Sequence, residues 1–176
     1  HGNYHALNMV LLCRKIMEHI GLNPERLRIE FMSAGEGNLF TEVINDFGKK
    51  VKELGPLGKG EGIEENELKF KLEAVTKLIP YVRLVESERL RAPVKSEGEY
   101  NKIFTSDEVN RLFNELIGDK LSISQIMLLL REKPLSTGEI SEILDLNPSE
   151  ISRHMNSSTR QGLVRYDESR KCFALA

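Results

Sequence analysis

The chain has 176 residues, 40% hydrophobic and 30% charged, with 25 Lys and Arg against 27 Asp and Glu and a formal net charge of −2. The apolar content suffices for one large core or two small ones. The near-neutral balance excludes a strongly basic, dedicated nucleic-acid binder but leaves room for a local patch.

Residues 4–20 place Ala6, Leu7, Val10, Leu11, Ile16, Met17 and Ile20 on one broad face, which predicts a helix that Gly21 ends. Asn23-Pro24-Glu25 predicts a turn or one turn of a new helix. Residues 27–32 alternate apolar and polar side chains and predict a strand, followed by a small-residue loop over 33–37. Residues 39–54 predict an amphipathic helix with Phe40, Val43, Ile44, Phe47, Val51 and Leu54 inward, closed by Gly55-Pro56. Helix, strand, helix is an α/β fragment. One strand cannot pair with itself, so its sheet partners lie either upstream or on another chain.

Residues 57–62 read as a glycine-rich linker. Residues 63–91 predict a charged helix, bent at Pro80, with Leu68, Leu72, Val75, Leu78, Ile79, Val82, Leu84 and Val85 as its apolar positions. Its charge is that of a solvated face, and its apolar stripe could pair two chains as a homodimer. A polar linker is expected over 93–100. Thr105 or Ser106 then caps a helix that runs through Ile117 and breaks at Gly118-Asp119.

The last third reads in one order. Residues 123–131 and 134–144 are two helices, Asp145-Leu146 is the turn, and residues 147–161 are a third helix stopped by Gly162. Residues 164–166 and 171–175 are two strands around the turn 167–170. That series is the winged helix-turn-helix. Ser136 with Glu139 and Asn147 with Glu150 predict capping boxes, and Pro148 suits the first helical position. Ile140, Ile143 and Leu144 form one apolar face, Ile151 and Met155 another, and Leu146 and Leu163 fill the gaps. The expected architecture is therefore the α/β fragment over 1–56, a helical linker over 57–104, and a winged helix-turn-helix domain over 105–176.

In a DNA-binding winged helix the outward residues of the third helix enter the major groove. Here these are Ser149, Ser152, Arg153, Asn156 and Arg160, with His154 a further candidate. Arg reads guanine and Asn reads adenine by paired hydrogen bonds. Arg165, Arg170 and Lys171 would supply the wing's phosphate contacts. Against this, residues 123–176 hold seven Lys or Arg and seven Asp or Glu, and phosphate neutralisation dominates DNA affinity. Protein docking and a purely architectural role remain alternatives, and dimerisation would double the contacts.

No other feature announces chemistry. Cys13 and Cys172 are the only cysteines, neither in a Cys-x-x-Cys pair, and both are expected to be buried hydrophobes. His5 and His19 stand four turns apart on one helix and cannot share an ion. The 33–37 loop lacks the Gly-x-Gly-x-x-Gly spacing of a nucleotide site. No Ser/His/Asp, Cys/His or paired-carboxylate spacing emerges, so no catalytic, cofactor-binding or metal-binding residue is expected. No apolar run reaches membrane-spanning length and no secretory signal opens the chain. A cytoplasmic protein without a membrane partner is expected. The chain opens on His1 in mid-pattern and reads as part of a longer polypeptide.

Two resemblances add to this. Gly2-Asn3, Leu22-Asn23-Pro24-Glu25-Arg26-Leu27, Glu30-Phe31-Met32-Ser33-Ala34 with Glu36-Gly37 and Phe40, and Leu54-Gly55-Pro56 stand in the order and spacing of a known family. Over residues 1–56 the chain resembles the second half of the iron–sulfur delta subunit of methyl-viologen-reducing hydrogenase. That resemblance implies an electron-transfer subunit partnering hydrogenase- or heterodisulfide reductase-type subunits. It also implies a [2Fe–2S] cluster on cysteines of the family's first half, and an extended 27–32. Such a centre normally takes four cysteine ligands, which Cys13 and Cys172 do not make, so the cluster is implied for the parent polypeptide. Ser152-Arg153-His154 resembles the core of arsenical-repressor-like regulators.

Overall fold

The computed structural model describes residues 2–90 and 96–176. His1, the expected helix end at Arg91 and the start of the expected linker at Pro93 lie outside them. The chain divides into two compact units, His1–Lys71 with Pro80–Asn114, and Leu72–Ile79 with Glu115–Ala176. It is mostly helical, and among the described residues the one sheet is a two-stranded antiparallel ribbon near the C-terminus.

The first unit opens with α1 (Gly2–His19), whose Leu7, Leu11 and Leu12 are buried. Gly21, at φ +84°, ends it, and the Leu22 amide donates to the Met17 carbonyl at 2.8 Å. The expected strand over 27–32 is not one. Leu27 is extended, but residues 27–33 form no ladder with any described residue. A ladder needs a neighbouring strand, and among the described residues none pairs with 28–32. The 33–37 loop turns on itself: the Glu36 carboxylate accepts from Ser33 N at 2.5 Å and from Ser33 Oγ at 2.8 Å. α2 (Gly37–Leu54) follows, with no buried residue along its 18 positions. The inward placing of Phe40 and Ile44 is thus corrected, since both stand exposed. Cys13 is exposed too, contrary to expectation, whereas Cys172 is buried.

The expected linker over 57–62 is pinned. Arg26 donates to Glu61 Oε1 at 2.5 Å and Oε2 at 3.1 Å, to the Gly55 carbonyl at 2.7 Å and to the Leu54 carbonyl at 2.9 Å. Glu61 in turn accepts from the amides of Asn23 and Gly58. Two of the sequence pieces that carry the delta-subunit resemblance, 22–27 and 54–56, therefore meet around one guanidinium. Gly60 passes so close that a Cβ there would lie 1.8 Å from the Leu54 carbonyl oxygen.

α3 (Glu65–Val85) carries Pro80 inside it and continues into a π-helical turn, Glu86–Leu90. Leu72, Ile79 and Leu84 of its expected apolar stripe are exposed, while Val82 and Val85 are buried. Glu86 is buried as well, and its carboxylate accepts from Asn8 Nδ2 at 2.6 Å. α4 (Glu97–Phe104) packs on α1, with Tyr4 stacked on Tyr100 at 5.9 Å. It runs through the end of the stretch expected to be a polar linker. Ser96 caps that helix through the Glu99 amide, and Tyr100 and Phe104 face inward, so the stretch buries an apolar face after all. α5 (Asp107–Phe113) follows, and of the two expected caps it is Ser106 whose hydroxyl accepts from the Val109 amide, at 3.3 Å.

In the second unit no break occurs at Gly118. A π-helical turn, Asn114–Gly118, leads directly into α6 (Asp119–Glu132). α7 (Thr137–Leu144) starts later than expected, because Leu135 instead pairs with Phe173 through two backbone hydrogen bonds. Asp145 takes the left-handed conformation at the turn, and α8 (Pro148–Arg160) follows. Gly162, at φ +70°, ends α8, with the Leu163 amide bonded back to the Ser158 carbonyl. β1 (Val164–Asp167) and β2 (Cys172–Leu175) close the wing, with Arg165 opposite Ala174 and Tyr166 opposite Phe173. Ile126, Leu130, Leu135, Ile140, Ile151, Met155, Val164 and Phe173 form the core. Ile143 and Leu163, expected inside, are about half exposed.

Candidate nucleic-acid interface

The third helix of the winged-helix series, α8, owes its position to its start. Asn147 Oδ1 accepts from the Ser149 amide at 2.8 Å, and Pro148 fills the first helical position. The expected reciprocal bond from Glu150 is missing, because that carboxylate turns along the helix toward His154 Nε2, 3.4 Å away. Ser136 and Glu139 do close their box, with Ser136 N to Glu139 Oε2 at 2.7 Å and the return bond at 3.3 Å.

Ile151, His154, Met155 and Ser158 form the buried side of α8. The opposite side presents Ser149, Ser152, Arg153, Asn156, Ser157 and Arg160 along one open groove. The five sequence candidates on this helix therefore share a face. Ser157 joins them, and the same helical spacing, four residues beyond Arg153, would have found it. His154 does not belong there. It is 3% exposed, and its ring looks back toward Glu150 and toward Asp119 Oδ1 at 3.9 Å. On the wing, Arg165, Arg170 and Lys171 are all exposed. The wing turn is held by Asp167, which accepts from Ser169 Oγ at 2.6 Å and from the Arg170 amide at 3.1 Å. These bonds hold the Asp167 carboxyl below its ordinary pKa, the Ser169 hydroxyl contributing most.

One acidic group bears on this face. Asp119, at the start of α6, accepts from Arg153 Nη2 at 3.1 Å. The donor atoms of Asp119, Glu150 and His154 lie within 4.8 Å of one another, a spacing that could hold a metal ion. Arg153 already occupies one of those carboxylates, so Asp119 ties the start of α6 to α8 through that side chain. The two cysteines, one exposed and one buried in different units, do not make the four-thiolate set of an iron–sulfur cluster.

Comparison with known proteins finds two separate likenesses. Residues 1–55 match the family model of the methyl-viologen-reducing hydrogenase delta subunit, and residues 124–166 match that of the arsR family of bacterial regulatory proteins. An F420-non-reducing hydrogenase iron-sulfur subunit of Archaeoglobus profundus is 42% identical over 55 residues, 31% of this chain and 40% of that protein. The corresponding vhu iron-sulfur subunit of Methanopyrus kandleri is 38% identical over 56 residues, 32% of this chain and 42% of its own length. A subunit of the ferredoxin/F(420)H(2)-dependent CoB-CoM heterodisulfide reductase of Methanosarcina acetivorans is 41% identical over 58 residues, 33% of this chain and 7% of that protein. The chain thus spans less than half the length of these relatives. No solved structure matches it. No helix of the described residues is long and apolar enough to cross a membrane. In chain order, then, a segment similar to hydrogenase delta and heterodisulfide reductase subunits precedes a helix-turn-helix similar to that of arsR-type regulators.

Proposed function

We propose that this chain is the C-terminal part of a cytoplasmic iron–sulfur electron-transfer subunit of a hydrogenase- or heterodisulfide reductase-type complex, carrying a winged-helix module. The residues divide by role into a delta-type segment over 1–56, a helical linker over 57–104 and the winged helix over 105–176. The observation that carries the reading is the match over residues 1–55, two of whose sequence pieces, 22–27 and 54–56, meet at Arg26. The [2Fe–2S] cluster of such a subunit belongs to residues outside this chain, since Cys13 and Cys172 do not fit it. On this reading the chain's own part is to dock within an oxidoreductase complex. Biolayer interferometry against purified hydrogenase and heterodisulfide reductase subunits is expected to give binding at micromolar concentration or tighter. No association with either at ten times that concentration would remove the reading.

A second reading rests on its own observation, the exposed face of Ser149, Ser152, Arg153, Asn156 and Arg160 flanked by the wing's Arg165, Arg170 and Lys171. On that reading the module is a DNA-binding transcriptional regulator, acting as a homodimer. An electrophoretic shift at low salt with genomic fragments tests it. Absence of a shift at micromolar protein leaves protein docking or a purely architectural role for the same fold.

A further inference from the structure

Two features of the first unit lack a covering partner, and they belong together. The first is α2. Leu39, Phe40 and Ile44 are 37%, 55% and 52% exposed, on a helix with no buried residue. Most of a helix's stability in a folded protein comes from packing its apolar face. The second is the stretch just before it. Among the described residues, no backbone group of 28–32 takes part in a backbone–backbone hydrogen bond. The sequence there still alternates as a strand does, with Ile29 and Phe31 half-buried and Arg28 and Glu30 exposed or nearly so. A strand-patterned stretch without a ladder, followed by an amphipathic helix that leaves Leu39, Phe40 and Ile44 exposed, is one edge of a sheet-and-helix layer.

We infer that this edge is a docking surface for the rest of a delta-type fold, a strand-bearing polypeptide that pairs along 28–32 and lays its apolar side on α2. The occupant follows from the lengths of the relatives. The Archaeoglobus profundus and Methanopyrus kandleri proteins match this chain at 42% and 38% identity over 55 and 56 residues, yet the matched segment makes up only 40% and 42% of each. More than half of each relative has no counterpart among the residues here. A second copy of this chain is the poorer fit, because two such edges would make only a two-stranded sheet, which is marginal by itself. Added strands also use both features at once. The ladder satisfies the open amides, and alternate side chains reach the helix. This surface rests on the delta-type reading of residues 1–55 and says where such a protein is completed.

The test mixes the full chain with the separately produced portion of the Archaeoglobus profundus relative that it does not match. Size-exclusion light scattering and amide hydrogen exchange are the readouts. A one-to-one complex is expected, with new amide protection at 28–32. F40D and I44D should each weaken it at least about tenfold, since each buries a charge in place of a large apolar group, whereas L84D, at an exposed site on α3, should not. Should the added portion be insoluble alone, fusing it ahead of residue 2 through a flexible linker gives the second arm, and protection at 28–32 is again expected. Exchange at 28–32 that stays fast in both arms overturns the docking surface. So does a dimer of this chain that F40D abolishes. Binding of intact hydrogenase subunits by a chain whose 28–32 amides stay fast would overturn this surface alone and leave the electron-transfer reading standing.

Discussion

Arg26 and Glu61 hold the front unit's loops at a single point, and their ion pair is nearly buried, at 8% and 9% side-chain exposure. A planar guanidinium reaches two carboxylate oxygens and the Leu54 and Gly55 carbonyls at once, which an ammonium does not. Removing one partner of such a pair strands the other, so Arg26→Ala is expected to cost about 3 kcal/mol, and Arg26→Lys to recover only part of it. Thermal or urea unfolding measures both; a loss under about 1 kcal/mol for the alanine variant would contradict the assigned role. Acid should act on the same bond. Arg26 beside it holds the Glu61 carboxyl below the ordinary range. The unfolded chain therefore binds the proton first, and the stabilisation is whole above the ordinary carboxylate pKa of about 4.3. It is lost as pH falls from there through the depressed value. Glu61→Gln should flatten that acid limb. At the other end of the chain, Asp119 draws on Arg153 across a half-exposed contact. Pairs of this kind are worth up to about 1 kcal/mol. If the α8 face meets DNA, Asp119→Asn should tighten binding by about two- to fivefold, read as a titration midpoint in a fluorescence anisotropy assay, and unchanged or weaker binding would contradict the competition.

At the scale of elements, the start of α8 tests whether its cap sets the helix. Asn147→Ala removes the bond from the Ser149 amide and is expected to cost about 1 kcal/mol. Chemical denaturation of the full chain checks this, and because Glu150 is turned to His154, no second cap stands in. The helices of the second unit are legible in the sequence because their signals are local. Ser136, Asn147, Pro148 and Gly162 each act within one turn of their own position, and the expected winged helix-turn-helix follows from them. The face of α8 is legible for the same reason, helical spacing alone separating Arg153 and Asn156 from Ile151 and Met155. What the sequence hides depends on distant partners. Residues 27–32 carry the alternation of a strand but find no ladder among the described residues, and α2 carries the apolar face of a buried helix yet leaves Leu39, Phe40 and Ile44 exposed. His154 follows the outward-looking Ser152-Arg153 pair in sequence yet turns to carboxylates on α6 and α8, and no local spacing reveals its contact with Asp119, which stands on another helix. The polar stretch before Phe104 conceals α4 because only Tyr100 and Phe104 mark its buried side.

For the whole molecule the deciding quantity is charge. The chain carries −2 overall, so any affinity for DNA must come from the few cations gathered on one side. Arg153, Arg160, Arg165, Arg170 and Lys171 are exposed on the helix-and-wing surface. Each cation that neutralises a phosphate releases counterions, and log K falls with log salt at about −0.9 per contact. Five contacts give a slope of about −4.5 for one copy, and two copies on paired half-sites give about −9. The slope therefore separates readings that a single affinity cannot. Arg170→Ala should shorten it by about 0.9 per copy, because it removes a backbone contact. Asn156→Ala should lower affinity and leave the slope in place, because an amide reads bases without displacing ions. A slope near about −4.5 that does not change with protein concentration would argue against the homodimer. A slope near zero would mean that this face meets no phosphate backbone, and the module's partner would then be another protein.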